Sequence, residues 1–270
     1  MGGMIRILGA VFVLFTVLMA APSVQAGDFC ARSEEDLRAV FEDPSQRMGF
    51  ENQGGLMNGG TCWWHSRLQR AVIYLVRFRP ELPRPDRAAV ERILKDLVHQ
   101  RQVVEIPGYA GFAEFTRDHQ AQVQRELDLW QIRDGFVNQQ WIRGLSGRPV
   151  MPARKLEKRM ERIHRAFRAS KPGLWVMAQM KGITSHALLL LGMESTSAGY
   201  RLQFIDSNFP GETRGLEYRR GDRTLDLGYA EFIPYAGFRN DFRRIAAALD
   251  AHCGRGTVSD PFEISDELIF

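Results

Sequence analysis

The patterning of the chain changes character near residue 172, and this change limits the folds open to it. Before it, apolar residues recur at helical spacing. Leu68, Ala71, Val72, Leu75 and Val76 share one side of a helix predicted over Cys62–Phe78. Pro80, Pro83 and Pro85 end that helix, and Asp86 caps a second one whose stripe is Val90, Ile93, Leu94, Leu97 and Val98. A short extended piece, Gln102–Ile106, precedes a helix beginning around Asp118 that presents Val123, Leu127 and Trp130. After residue 172 the pattern turns to strands at Leu174–Met180, Thr184–Met193 and Tyr200–Asp206, with shorter pieces at Gly215–Arg219, Leu225–Leu227 and Glu231–Pro234. Helices first and antiparallel strands second make an α+β fold. A helical part over about 27–171 is expected to pack on a C-terminal antiparallel β-sheet over about 172–270. No internal repeat, low-complexity tract or linker divides these parts, so a single domain is expected.

The N-terminus reads as an export signal. Residues 1–26 hold Arg6, an unbroken apolar run from Ile7 to Ala21, and Val24-Gln25-Ala26 ahead of Gly27. The run is short for a permanent membrane span, and its end suits a signal peptidase. The expectation is a signal peptide over 1–26 and a mature chain, periplasmic or secreted, with no stable membrane anchor after cleavage. An uncleaved N-terminal anchor is the alternative. Lys and Arg exceed Asp and Glu by only 36 to 32, an excess too small and too dispersed to point to nucleic acid as a partner. The densest basic stretch, Arg154 to Arg168, carries Leu156, Met160, Ile163 and Phe167 at helical spacing and reads as the solvated face of a surface helix.

The chain has 3 cysteines, and in an oxidising compartment an odd count leaves one thiol over. Cys30 and Cys253 lie near the two ends, and chain ends commonly meet, so a Cys30–Cys253 disulfide would leave Cys62 free. The alternative is a fully reduced set or a different pairing. Cys62 stands where a polar, glycine-rich loop, Asn52-Gln53-Gly54-Gly55-Leu56-Met57-Asn58-Gly59-Gly60-Thr61, runs into an apolar helix. A thiol there meets the positive end of the helix dipole, which favours the thiolate. The glycines let backbone N–H groups turn toward a developing oxyanion. A buried, inert cysteine is the structural alternative.

A base and its orienting group follow. His186 opens the apolar run Ala187-Leu188-Leu189-Leu190-Leu191, and Asp206 ends the next strand. Adjacent antiparallel strands would bring the start of the first beside the end of the second. Asp206 would then hold the imidazole's tautomer and stabilise an imidazolium formed when Cys62 ionises. Asn208 competes with Asp206 for this third position. His65, one helical turn after Cys62, is a rival base, but a residue at that spacing projects toward the body of the protein, so His186 is preferred.

At these residues the chain resembles the papain-like cysteine peptidase superfamily, in particular its divergent bacterial members. Gly60-Thr61-Cys62-Trp63 is similar to the Gly-Ser-Cys-Trp around that superfamily's nucleophile. Ser185-His186-Ala187 with its apolar strand and Gly192 is similar to the histidine strand, and Phe204-Ile205-Asp206-Ser207 lies where the family has its orienting Asn or Asp. The order and spacing agree with papain relatives. The likeness covers three patches and departs from the family twice. Leu56 occupies the position of the oxyanion-hole glutamine, six residues before the nucleophile, and Gly59 replaces a disulfide cysteine. Gln53, in a family-like Gln-Gly-Gly context, and Asn58 are the substitutes.

The resemblance implies acyl transfer on a peptide or protein substrate through a Cys62–His186–Asp206 triad and a thioester, with no cofactor. A deamidase, transglutaminase-like enzyme or acyltransferase would use the same triad, and a catalytically inactive binding protein of the same fold is a third reading. His99, His119, His164 and His252 show no metal-ligand spacing. No phosphate loop in a βαβ setting and no Gly-x-Ser-x-Gly elbow is present. Trp63 and Trp64 read as core and cleft-wall residues.

Overall fold

A computed structural model describes residues 29–55, 59–137, 146–169, 173–237 and 240–254. The expected signal peptide, Leu56 and Asn58 lie outside these residues. The helical half comprises α1 (Glu34–Glu42), α2 (Cys62–Leu75), β1 (Val76–Arg79), α3 (Arg87–His99), β2 (Val104–Pro107), α4 (Phe112–Asp118), α5 (Gln120–Val137) and α6 (Ala153–Ala169). The strands β3 (Leu174–Gln179), β4 (Ser185–Ser195), β5 (Gly199–Asp206), β6 (Arg214–Arg219), β7 (Leu225–Asp226) and β8 (Glu231–Gly237) follow, and α7 (Asn240–Cys253) closes the described chain. The protein is therefore a mixed helix and antiparallel-sheet fold.

Local chemistry sets many of these boundaries. Asp86 caps α3 by accepting from the Ala89 N–H at 2.7 Å. The helix expected to reach Phe78 stops at Leu75 instead. Val76-Arg-Phe-Arg alternates buried and half-buried positions and pairs in parallel with β2, Val76 against Val104 and Phe78 against Ile106. A period of two with a β-branched residue in front suits a strand better than a last helical turn.

The large sheet has the order β6-β5-β4-β3-β8-β7, every neighbour antiparallel. Its edges approach each other where Arg214 Nη2 donates to the Leu227 carbonyl at 3.0 Å, so the sheet curls into a near-barrel. β4 lies inside it and is buried on both faces. Ala187, Leu189 and Leu191 enter the core built on α2, while Leu188 and Leu190 enter a second core beneath Leu156, Met160 and Ile163 of α6. Double burial explains a continuous apolar run in place of alternation. At about 1.5–3 kcal/mol per buried leucine, Leu188 to Leu191 together match the net stability of an ordinary domain of about 5–15 kcal/mol. The strand that begins with Ser185 and His186 is thus firmly clamped.

The last described element is a helix and not a strand of the expected C-terminal sheet. α7 leaves it and buries Ile245 and Ala248 in the core of α2, returning the chain to the helical half. Cys253 at its end is bonded to Cys30, with Cα atoms 5.6 Å apart, and Cys62 is a free thiol. Among the described residues no helix is long and apolar enough to cross a membrane.

Candidate active site

Cys62 is the first residue of α2, directly after the N-cap Thr61. The N–H groups of the first helical turn have no partner within the helix, so they and the dipole face the thiol. The loop before it is shaped by tight glycines and strapped to α5. Gly60 sits at φ 86°, and a Cβ there would come within 2.5 Å of the Asn52 amide. Asp128 accepts from the Gly55 N–H at 2.9 Å, Gln124 donates to the Gln53 carbonyl at 3.0 Å, and Gln131 donates to the Gly60 carbonyl at 2.9 Å. Cys62 Sγ lies 3.6 Å from the Ser185 carbonyl oxygen, which brings Cys62 against the first residue of β4.

His186 and Asp206 meet as hairpin geometry requires. Leu188 is paired with Asp206, which makes His186 the diagonal neighbour of Asp206, within reach of a side-chain contact. His186 Nε2 lies 2.7 Å from Asp206 Oδ1, and both side chains are buried. Because Nε2 is engaged by the carboxylate, Nδ1 is the nitrogen left for Cys62. Burial alone would lower the His186 pKa. The negative charge of Cys62, the hydrogen bonds to Asp206 and Cys62, and the Asp206 charge outweigh burial and raise it to about 10. Burial also opposes ionisation of Asp206, yet hydrogen bonding and charge from His186, with hydrogen bonds from Tyr229 and the Asn208 N–H, hold the carboxyl below its usual range. Both shifts favour the imidazolium–carboxylate form of the pair.

The rivals have other duties. His65 is buried, its Nε2 is 3.1 Å from the Phe50 carbonyl, and burial drives its pKa down to about 4, so it is neutral and turned toward the body of the protein. Asn208 supports Asp206 instead of replacing it: its backbone N–H donates to Asp206 Oδ1 at 2.9 Å. Gln53 is exposed, and its backbone carbonyl is what the surrounding groups hold, accepting from Gln124 and from Thr61 Oγ1. Asn58 lies outside the described residues. Trp63 and Trp64 are buried and stacked, with the Trp64 indole N–H on Asp134 at 3.1 Å.

Sequence reasoning missed two members of the site. Asn52, beside the expected Gln53, accepts from the Thr61 N–H at 2.6 Å and donates to Asn208 Oδ1 at 3.1 Å. Tyr229, in the turn between β7 and β8, donates its hydroxyl to Asp206 Oδ2 at 2.7 Å. Its ring meets the His186 ring edge-on at 6.5 Å. Asn52 had a local signal, an Asx side chain ahead of a glycine-rich loop; Tyr229 had none. A further tyrosine, Tyr235, is buried and in hydrogen-bonding contact with Ser185. It is skipped by the register shift between Met177 and Ala178, where β3 passes from Ala236 to Pro234, as in a bulge that re-aims a side chain. Among the described residues no three His, Cys, Asp or Glu side chains gather in a way that could hold a metal ion. The free thiol at a helix N-terminus, with an imidazole backed by a buried carboxylate close by, is a set of groups that can support thiol chemistry. Comparison with known proteins adds no relative, since no family model matches the chain and neither a curated protein nor a solved structure matches it significantly.

Proposed function

We propose that this chain is an exported cysteine hydrolase of papain-like type, acting on peptide or protein amide bonds. One observation carries the reading: His186 is bound through Nε2 to buried Asp206, while the free thiol Cys62 sits at a helix N-terminus against Ser185, the residue before the histidine. In the proposed reaction the Cys62 thiolate attacks the carbonyl carbon, and the backbone N–H groups at the start of α2 receive the oxyanion. His186 then protonates the leaving amine. The resulting thioester is hydrolysed by water that gives its proton to His186. Asp206 keeps the imidazole oriented and stabilises its charged form throughout. The order of helices and sheet, with the nucleophile's helix packed on the strand of the base, supports the papain-like comparison. The disulfide and the apolar N-terminal run of the sequence support export.

Two measurements test it. Iodoacetamide is expected to alkylate Cys62 rapidly at neutral pH and much more slowly in His186→Ala; an ordinary thiol rate, unchanged by that substitution, defeats the proposal. Profiling the wild type and Cys62→Ala against a peptide library then asks whether bonds are cleaved. Release of ammonia without cleavage would redirect the same triad to deamidation.

A further inference from the structure

The hydrogen bonds around the site form a chain whose direction is set at one end. A backbone N–H can only donate, so the Thr61 N–H at 2.6 Å makes the Asn52 atom it meets the amide oxygen. Asn52 Nδ2 therefore donates, and its partner at 3.1 Å on Asn208 is Oδ1. Asn208 Nδ2 must then donate to the Tyr229 hydroxyl oxygen at 3.3 Å. With that lone pair used, the single phenol proton goes to Asp206 Oδ2 at 2.7 Å. Asp206 Oδ1 is left for His186 and the Asn208 N–H. The chain thus runs from the N-cap of the nucleophile's helix to the carboxylate behind the base. It joins the two sides of the site without passing through the reacting atoms.

We propose that Tyr229 is a positioning residue of this site. Its phenol keeps Asp206 ionised and turned toward His186, and ties that pair to the Thr61 N-cap through Asn208 and Asn52. The role rests on the hydrolase reading above, since it is the Cys62–His186 pair that the tie serves. The turn is built to hold the ring there. Gly228 N–H donates to Asp226 Oδ1 at 2.7 Å, and Leu227 N–H donates to the Ala230 carbonyl at 3.0 Å. The Arg214 guanidinium, which donates to the Leu227 carbonyl, stands over the neighbouring Phe209 ring at 4.2 Å and lies 5.8 Å from the Tyr229 ring. Among the described residues, the titratable and charged groups around Cys62 and the His186–Asp206 pair are His65 of α2, Tyr229 of the β7–β8 turn, Tyr235 of β8 and Arg214 of β6. Among them Tyr229 is the side chain that donates to Oδ2.

The test is the titration of Asp206, read by carbon-13 NMR of its carboxyl in the full chain. A hydrogen bond to the ionised form favours that form, so Tyr229→Phe is expected to raise the Asp206 midpoint by about one unit, a tenfold change in its proton affinity. Replacing Tyr229 by 3-fluorotyrosine keeps the ring and makes the phenol a stronger donor, so the midpoint is expected to fall. Opposite shifts support the proposal. Midpoints that stay put, or that move the same way in both variants, overturn it, because a packing role has no means of reversing sign. If Tyr229→Phe does not fold, the fluorotyrosine variant decides alone: a lower midpoint supports the role, and an unchanged or raised one overturns it. Iodoacetamide reactivity of wild-type Cys62 in the same samples judges the hydrolase reading separately. An ordinary thiol rate there sinks that reading and leaves the Asp206 titration to answer for Tyr229.

Discussion

Replacing Cys30 and Cys253 together by serine removes the covalent tie between the first described residues and the last helix. The bridge spans a sequence separation of 223 residues, and the chain-entropy relation for a loop of that length gives about 5 kcal/mol of constraint on the unfolded state. Native bridges typically deliver about 2–4 kcal/mol. The serine pair leaves Ile245 and Ala248 of α7 in the core of α2, so the loss acts through the unfolded state and the range typical of native bridges sets its scale. At roughly 2–4 °C per kcal/mol for a chain of this size, the double variant is expected to melt about 5–15 °C below the wild type. Calorimetry gives the shift, and urea unfolding should show a steeper slope, because the denatured chain without its cross-link is less compact and exposes more surface. Thiol titration supplies the control. The denatured wild type should show Cys62 alone before reduction, with Cys30 and Cys253 joining it afterwards. A melting shift under about 2 °C, or a second free thiol before reduction, refutes the reasoning.

Three further outcomes follow from the same structure. Asp206→Asn keeps the shape of the site and removes the charge. Exchanging a charge-assisted hydrogen bond for a neutral one costs about 1–1.5 kcal/mol, so the His186 midpoint should fall by about one unit from about 10, read by imidazole NMR; an unmoved midpoint counts against the pairing. Because His186 has a raised pKa, its contribution to stability is full below its unfolded value of about 6.5 and is lost as pH rises toward about 10, and Asp206→Asn should narrow that window from above. His65 has the opposite sign. Its pKa is lowered to about 4, so the stability it contributes is present above about 6.5 and lost as pH falls toward about 4, up to about 3 kcal/mol. His65→Gln, which can still donate to the Phe50 carbonyl, should flatten the acid limb of the urea midpoint, and an unchanged limb would place the acid sensitivity elsewhere. Leu189→Ala, at a position 1% exposed, should cost about 2–5 kcal/mol in urea unfolding; a loss under about 1 kcal/mol would mean that β4 is not the clamp described.

The residues legible in the sequence are those whose placement depends on nearby chain. Cys62 is fixed by the junction of a glycine-rich loop with an apolar run, and that junction is also where α2 starts. His186 and Asp206 meet because two consecutive strands form a hairpin, and hairpin register is a short-range property. Legibility ends where strand order takes over. β8 lies beside β3 and carries the β7–β8 turn round to close the curled sheet, so Tyr229 reaches Asp206 by a path that no local pattern encodes. Asn52 reaches Asn208 across a separation of 156 residues for the same reason. Gln53 is exposed, while Gln124, Asp128 and Gln131 of α5 hold the backbone of its loop, contacts that no pattern around Gln53 encodes. Val76–Arg79 failed differently: its local alternation suits a strand, but four residues following an apolar helical stripe are too few to overrule that stripe without the distant partner β2. Cys62, His186 and Asp206 are thus placed by local chain, while Tyr229 and the Asn52–Asn208 contact are placed by long-range pairing. Substitutions that loosen closure of the sheet, at Arg214 or in the β7–β8 turn, should therefore disturb the His186–Asp206 geometry while leaving Cys62 at the head of an intact α2.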